Sequence, residues 1–171
     1  MANMKTVQDL LSDEIKDLYS AERQLTKAIP KMAKGSTDVT LQSAFSAHLK
    51  ETQEQVKRLE RAAEMLGISP GAKKCVGMQG CIKEGAEALE EEGDKKVLDL
   101  GLIGAGRRIE HYEMAGYLTA ISLAQRIGKS DVVALLKVSL AEERAAAQKL
   151  GKIGAGLLKG APTEQLAKGR A

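Results

Sequence analysis

Every long helical segment of this 171-residue chain carries an acid inside its apolar stripe. In the first segment Glu22 falls in line with Leu18, Leu25 and Ile29. In the second, Ala44, His48, Glu51, Gln55 and Ala62 lie along one face. In the third the shared face holds Ile103, Glu110, Glu113, Tyr117 and Ile121. In the fourth it holds Leu136, Ser139, Glu143, Ala146 and Leu150. Apolar residues that return every three or four positions mark the side of a helix that packs against a neighbour. An acid on that side is carried into the interior with them. The pattern therefore restricts the chain to folds in which several carboxylates are buried together or separately neutralised.

The boundaries of the segments define how they connect. The first helix is predicted from near Thr6, where Thr6 and Asp9 have capping-box spacing, to Gly35, with a kink expected at Pro30. The second runs from about Val39 to Leu66 and stops at Gly67. A shorter helix is predicted from Gly77 to Glu91. The third long helix runs from about Lys95 to Ile127, and the fourth from a cap at Ser130-Asp131 to about Leu158. Two helical hairpins joined by one long crossover predict an all-α, ferritin-like four-helix bundle with a short helix in the crossover. It forms a single domain over 1–171, with a frayed tail at 160–171. Aromatic residues make up only 2% of the chain, so Leu, Ile, Ala and Met must fill this core. Gly101, Gly104, Gly106 and Gly116 all fall in the third long helix. They cost helix stability, so they are expected to permit close backbone packing.

The acids also match in height. Glu22 lies about 14 residues before the first turn and Glu51 about 15 after it. Glu113 lies about 16 before the second turn and Glu143 about 14 after it. At 1.5 Å of rise per residue all four fall roughly 20–25 Å from their hairpin ends. Four like charges at one level of an apolar core require cations or protons. Two divalent metals bridged by carboxylates satisfy such a level in bundles of this kind. Oxygen donors suit iron or manganese. The competing reading puts Glu110 and Glu143 on a solvated face beside basic residues. Whether Glu142 or Glu143 points inward is left open by the spacing, although Leu136, Leu140 and Leu150 favour Glu143.

Other residues carry less. His48 precedes Glu51 by three and shares its face, which makes it a candidate ligand. His111 adjoins Glu110 but projects about 100° away and reads as a surface or packed residue. Tyr19 and Tyr117 lie one turn from Glu22 and Glu113, either as hydrogen-bond partners of those carboxylates or as ordinary core tyrosines. Cys75 and Cys81 lack zinc or thioredoxin spacing and read as structural. The net charge of only +3 argues against nucleic acid as a partner. No apolar run reaches the roughly 20 residues of a membrane span, and no signal peptide is recognisable. A cytoplasmic protein is expected.

The segments LYSAERQL, FSAHLKETQEQ, RIEHYEMAGY and LLKVSLAEERAAAQKL, with KCVGMQG in the crossover, resemble those of the YciE/YciF family. The resemblance runs from about Lys5 to Leu150. It implies a ferritin-like bundle akin to rubrerythrin, usually dimeric and linked to bacterial stress responses. The wider superfamily places Glu on helices one and three and Glu-x-x-His on helices two and four. Rubrerythrin adds a second Glu in helix three. By that resemblance Glu22, Glu51, Glu110, Glu113 and Glu143 correspond to the acidic ligands. Glu54 and Ala146 stand where the two histidines are expected. The implied site holds iron or manganese, up to two ions per chain, at low occupancy. The implied function is handling of iron, manganese or reactive oxygen under stress. The alternative is a non-catalytic helical-bundle stress or assembly protein with a degenerate metal site. A homodimer is expected in either case.

Overall fold

The computed structural model describes residues 4–71 and 73–163. Among these residues it contains five helices and no strand. They are α1 (Val7–Gly35), α2 (Val39–Leu66), α3 (Val76–Glu90), α4 (Lys95–Arg126) and α5 (Ser130–Leu158). Part of the expected frayed tail, 164–171, lies outside the described residues.

Local chemistry sets most of the ends. Thr6 and Asp9 form the predicted capping box: the Asp9 amide donates to Thr6 Oγ1 at 3.1 Å and the Thr6 amide to Asp9 Oδ2 at 2.9 Å. Asp38 caps α2 by accepting from the amides of Thr40 and Leu41, both at 2.9 Å. Gly67 ends α2 in the left-handed region at φ 69°. The cap expected at Ser130-Asp131 is not there: both residues are already inside α5, and Lys129 precedes it without a side-chain cap. Asp131 contributes instead as a negative charge in the first turn, facing the positive end of the helix dipole. Helix α1 continues through Pro30 to Gly35.

The short turns 36–38 and 127–129 make α1/α2 and α4/α5 antiparallel hairpins. Along the seams, α1 packs on α4 and α2 on α5, while α3 lies across α1 and α4. Two of the α4 glycines do permit close approach. A Cβ at Gly106 would come within 2.9 Å of Leu150, and one at Gly116 within 2.9 Å of Leu18. Gly101 and Gly104 meet nothing so close. Asp99, buried in α4, accepts from the Thr37 amide and hydroxyl and the Asp38 amide at 2.7–2.8 Å, fastening the first turn to the second hairpin.

The apolar core is in two parts. One holds Leu11, Ile15 and Leu18 of α1 with Leu59, Ile121 and Leu136. The other holds Leu25 and Ile29 of α1 with Phe45, Ile109 and Leu150. On each long helix, the residues between these two groups include the buried polar ones: Glu22, then His48, Thr52 and Gln55, then Glu110 and Glu113, then Ser139 and Glu143.

Candidate metal centre

Of the acids expected at this level, Glu51 lies at the edge of the polar layer and the others inside it. Glu22, Glu110, Glu113 and Glu143 are all buried. One ligand atom from each of His48, Glu110, Glu113 and Glu143 lies within 4.8 Å of the others. Tyr117, also fully buried, donates its hydroxyl to Glu22 Oε1 at 2.5 Å. Tyr19 instead reaches the exposed edge and donates to Glu60 at 3.0 Å. Of the pair left open by spacing, Glu143 is the inward one. Glu142 is held at the rim by Arg58, whose guanidinium donates to both of its oxygens at 2.6 and 2.8 Å.

Helix α2 differs from the other three. Its inward polar groups are neutral side chains, Thr52 and Gln55, together with His48. Glu51 sits at the edge with 45% of its side chain exposed. It lies 3.1 Å from His48 Nδ1. The opposite ring nitrogen, Nε2, faces inward, 3.4 Å from Glu110 Oε1 and 3.6 Å from Glu143 Oε2. A carboxylate that accepts the Nδ1–H hydrogen bond leaves the Nε2 lone pair turned toward the carboxylate layer. Glu51 is thus arranged to orient His48 rather than to join Glu22, Glu110, Glu113 and Glu143. Gln55 donates its amide to Glu142 at 3.0 Å and to Glu143. The helical period puts Gln55 on this face but gives it no role, and it leaves out Thr52. Its one signal was the four-residue step from His48.

Burial dominates the electrostatics. It pushes the carboxyls of Glu22, Glu110 and Glu113 well above the ordinary range. Neighbouring acids push the same way: Glu143 on Glu22 and Glu110, and Glu22 on Glu113. Burial, then the charge of Glu22, also raises the Tyr117 phenol. Glu51 moves in the opposite direction, lowered chiefly by its hydrogen bond with His48.

Eight buried side-chain atoms in this layer have no hydrogen-bond partner in the protein. Six belong to Glu22, His48, Glu110, Glu113 and Glu143; the others are Thr52 Oγ1 and Gln55 Oε1. Buried polar groups are ordinarily paired, so their concentration here is unusual. Five carboxylate oxygens and one imidazole nitrogen make a donor set suited to a hard or borderline divalent cation.

Outside the layer, His111 is exposed, as expected. Cys75 and Cys81 are free thiols. Cys75 caps α3, its sulfur accepting from the Met78 amide at 3.4 Å, and it lies 2.9 Å from Asp17 Oδ2. No helix among the described residues is long and apolar enough to cross a membrane.

The role of Glu51 leads to a prediction. Glu51→Ala is expected to change the stability of metal-free protein by less than about 1 kcal/mol, as for a half-exposed pair. If His48 is a ligand, the same change weakens metal binding by about 10–100-fold, as loss of an orienting carboxylate does. Thermal melts and metal titrations of the variant measure the two effects separately.

Two long antiparallel hairpins, a helical crossover and a glutamate-histidine layer at mid-height define a ferritin-like bundle. The chain belongs to the family described as "Domain of unknown function (DUF892)", whose model matches residues 6–161. It is 40% identical over 149 residues to protein YciF of Escherichia coli (strain K12), covering 86% of this chain and 90% of that protein. The crystal structure of the E. coli stress protein YciF superposes with a TM-score of 0.89 at 37% identity, covering 92% of this chain and 100% of that one. YcfI from Rhodopseudomonas palustris gives a TM-score of 0.84 at 40% identity, over 87% and 95% of the two chains. Ferritin-like, diiron-carboxylate proteins from Bacillus anthracis share the fold at 14% identity, with a TM-score of 0.67 over 88% of this chain and 99% of theirs.

Proposed function

We propose that this protein is a stress-response bundle that binds up to two divalent first-row metal ions, iron or manganese, in its mid-height layer. The observation that carries this reading is the group of unpartnered buried donor atoms on Glu22, His48, Glu110, Glu113 and Glu143. Four acids at one level need a counter-charge, and Arg58, whose charge is felt at Glu22, is paired with Glu142 at the rim. Ions bound there would supply Lewis acidity and one-electron redox change toward small oxidants. The protein's own groups shape the site around them. Glu51 fixes the His48 ring, and Tyr117 and Gln55 hold Glu22 and Glu143 through one oxygen each. The apolar halves of the core on either side keep bulk water out. One histidine against several carboxylates makes a weakly selective, labile centre. The proposal includes the homodimer expected from the sequence. Its contact would not use Gly106 or Gly116, since side chains of the same chain already cover both.

Anaerobic loading with iron(II) or manganese(II), followed by gel filtration and metal analysis, tests the reading. Between one and two ions per chain are expected at neutral pH, with sharply less in Glu143→Ala. Protein that keeps its helical content and takes up no metal would favour the non-catalytic alternative.

A further inference from the structure

A cavity of about 80 Å³ opens between α2 and α5 and ends on the polar layer. Its floor is His48 and Glu110, its walls include Ala44 and Ala146, and Glu51 and Lys149 line it toward solvent. The floor residues are 6% and 2% exposed, and each presents an unpartnered atom, His48 Nε2 and Glu110 Oε2. A second cavity, between α1 and α4, is bordered by Glu14, Asp17, Tyr112 and Gly116 and touches none of the five layer residues with unpartnered donors. Small side chains therefore leave an opening on the α2–α5 seam, where the layer residues can be reached from outside.

We infer that the α2–α5 cavity is the port by which a small polar molecule reaches the centre, and that the methyl side chain of Ala146 sets its bore. The inference rests on the metal reading of the layer. The size fits a small molecule: the space is enough for several waters at about 10–15 Å³ of probe space each. The charge at the mouth fits as well. Glu51 and Lys149 carry opposite charges there, so the opening favours neither cations nor anions strongly. A neutral polar oxidant of the size of hydrogen peroxide matches both requirements. Ala146 is half-buried on the wall, and its replacement by leucine would fill the passage without removing any donor atom.

The test loads the protein with cobalt(II) and follows azide binding by stopped flow through the visible ligand-field bands. Azide stands in for peroxide because it is small and does not turn over. Its negative charge is the same for every variant, so its rates are compared between variants rather than with those of peroxide. Ala146→Leu is expected to bind cobalt with native stoichiometry and to slow azide association by about tenfold or more. Ala115→Leu, at the α1–α4 cavity, is expected to leave the rate unchanged. Ala145→Leu, at an exposed lining position that does not threaten folding, gives a smaller slowing in the same direction. Native azide rates in cobalt-loaded Ala146→Leu and Ala145→Leu overturn the port, as does equal slowing by Ala115→Leu. Loss of cobalt from a folded Ala146→Leu also overturns it, since position 146 would then support the ligands rather than the passage. If the native protein binds no cobalt at all, the metal reading itself fails, and the port with it.

Discussion

Glu113→Gln is expected to raise the melting temperature of metal-free protein at pH 7.5 by about 2–6 °C and to reduce metal binding below detection in the same titration. Glu113 is fully buried, and neither of its oxygens has a partner in the protein. Burial, together with the charges of Glu22, Glu143 and Glu110, holds its carboxyl well above the ordinary range. At neutral pH the folded, metal-free chain must either bury that charge or keep a proton that water would take. The amide of glutamine has nearly the same shape and removes this cost, on the order of 1–3 kcal/mol. It still carries polar atoms that want partners, which keeps the gain at the lower end of what charge removal alone would give. The effect on metal has the opposite sign, because glutamine offers one weak oxygen donor where the carboxylate offers two charged ones. Calorimetry with and without manganese(II) measures both. A metal-free variant that melts lower than the native protein would mean that Glu113 is stabilised by contacts other than a bound cation.

The second large effect is a reversal of pH dependence on metal loading. Glu22, Glu110 and Glu113 have folded-state pKa values raised above the ordinary 4.5, first by burial and then by neighbouring charges. Between 4.5 and those raised values the folded chain holds protons that the unfolded chain has released. Rising pH therefore favours unfolding over this window. The stability these acids contribute is fully present below about pH 4.5 and is lost as pH climbs through their folded values. Metal-free protein should melt lower at pH 8 than at pH 5.5. Metal requires the ionised forms, so its contribution grows as protons leave. With free metal at 100–1,000 times its dissociation constant that contribution is about 3–4 kcal/mol. Melting curves in chelator and in manganese(II), taken every half unit from pH 5 to 8, should diverge as pH rises. Parallel curves would remove the layer from metal chemistry.

Much of this architecture is legible because helical periodicity is a strong signal over segments near thirty residues long. The stripes of α1, α4 and α5 each ran through an acid, and Glu22, Glu110, Glu113 and Glu143 all lie inside. On helix α2 the period groups Glu51 with His48 and Gln55 on one face, and the structure separates them. Glu51 has the right height, yet the buried line runs through His48, Thr52 and Gln55, and Glu51 falls one step around the helix. Height follows from counting residues, whereas rotation about the axis depends on which neighbours a helix finds. The choice between Glu142 and Glu143 depended on the same rotation, and Arg58 on α2 is what occupies Glu142. Turn chemistry near Ser130 misled for another reason. A favoured capping pair signals a helix start but does not fix which residue comes first.

The unequal share of charge between the two hairpins has a mechanical consequence. The second hairpin contributes Glu110, Glu113 and Glu143, whereas the first contributes Glu22 and His48. An ion held by residues from both would act as a rivet across the α1–α4 and α2–α5 seams, where the two hairpins meet. It would leave the turns at 36–38 and 127–129 as they are. Its loss would let the halves breathe against each other while each hairpin stayed intact, hinged near Asp99, whose hold on the first turn does not depend on the ion. Local opening of the seams, alongside global unfolding, would then be a motion that metal controls in this bundle.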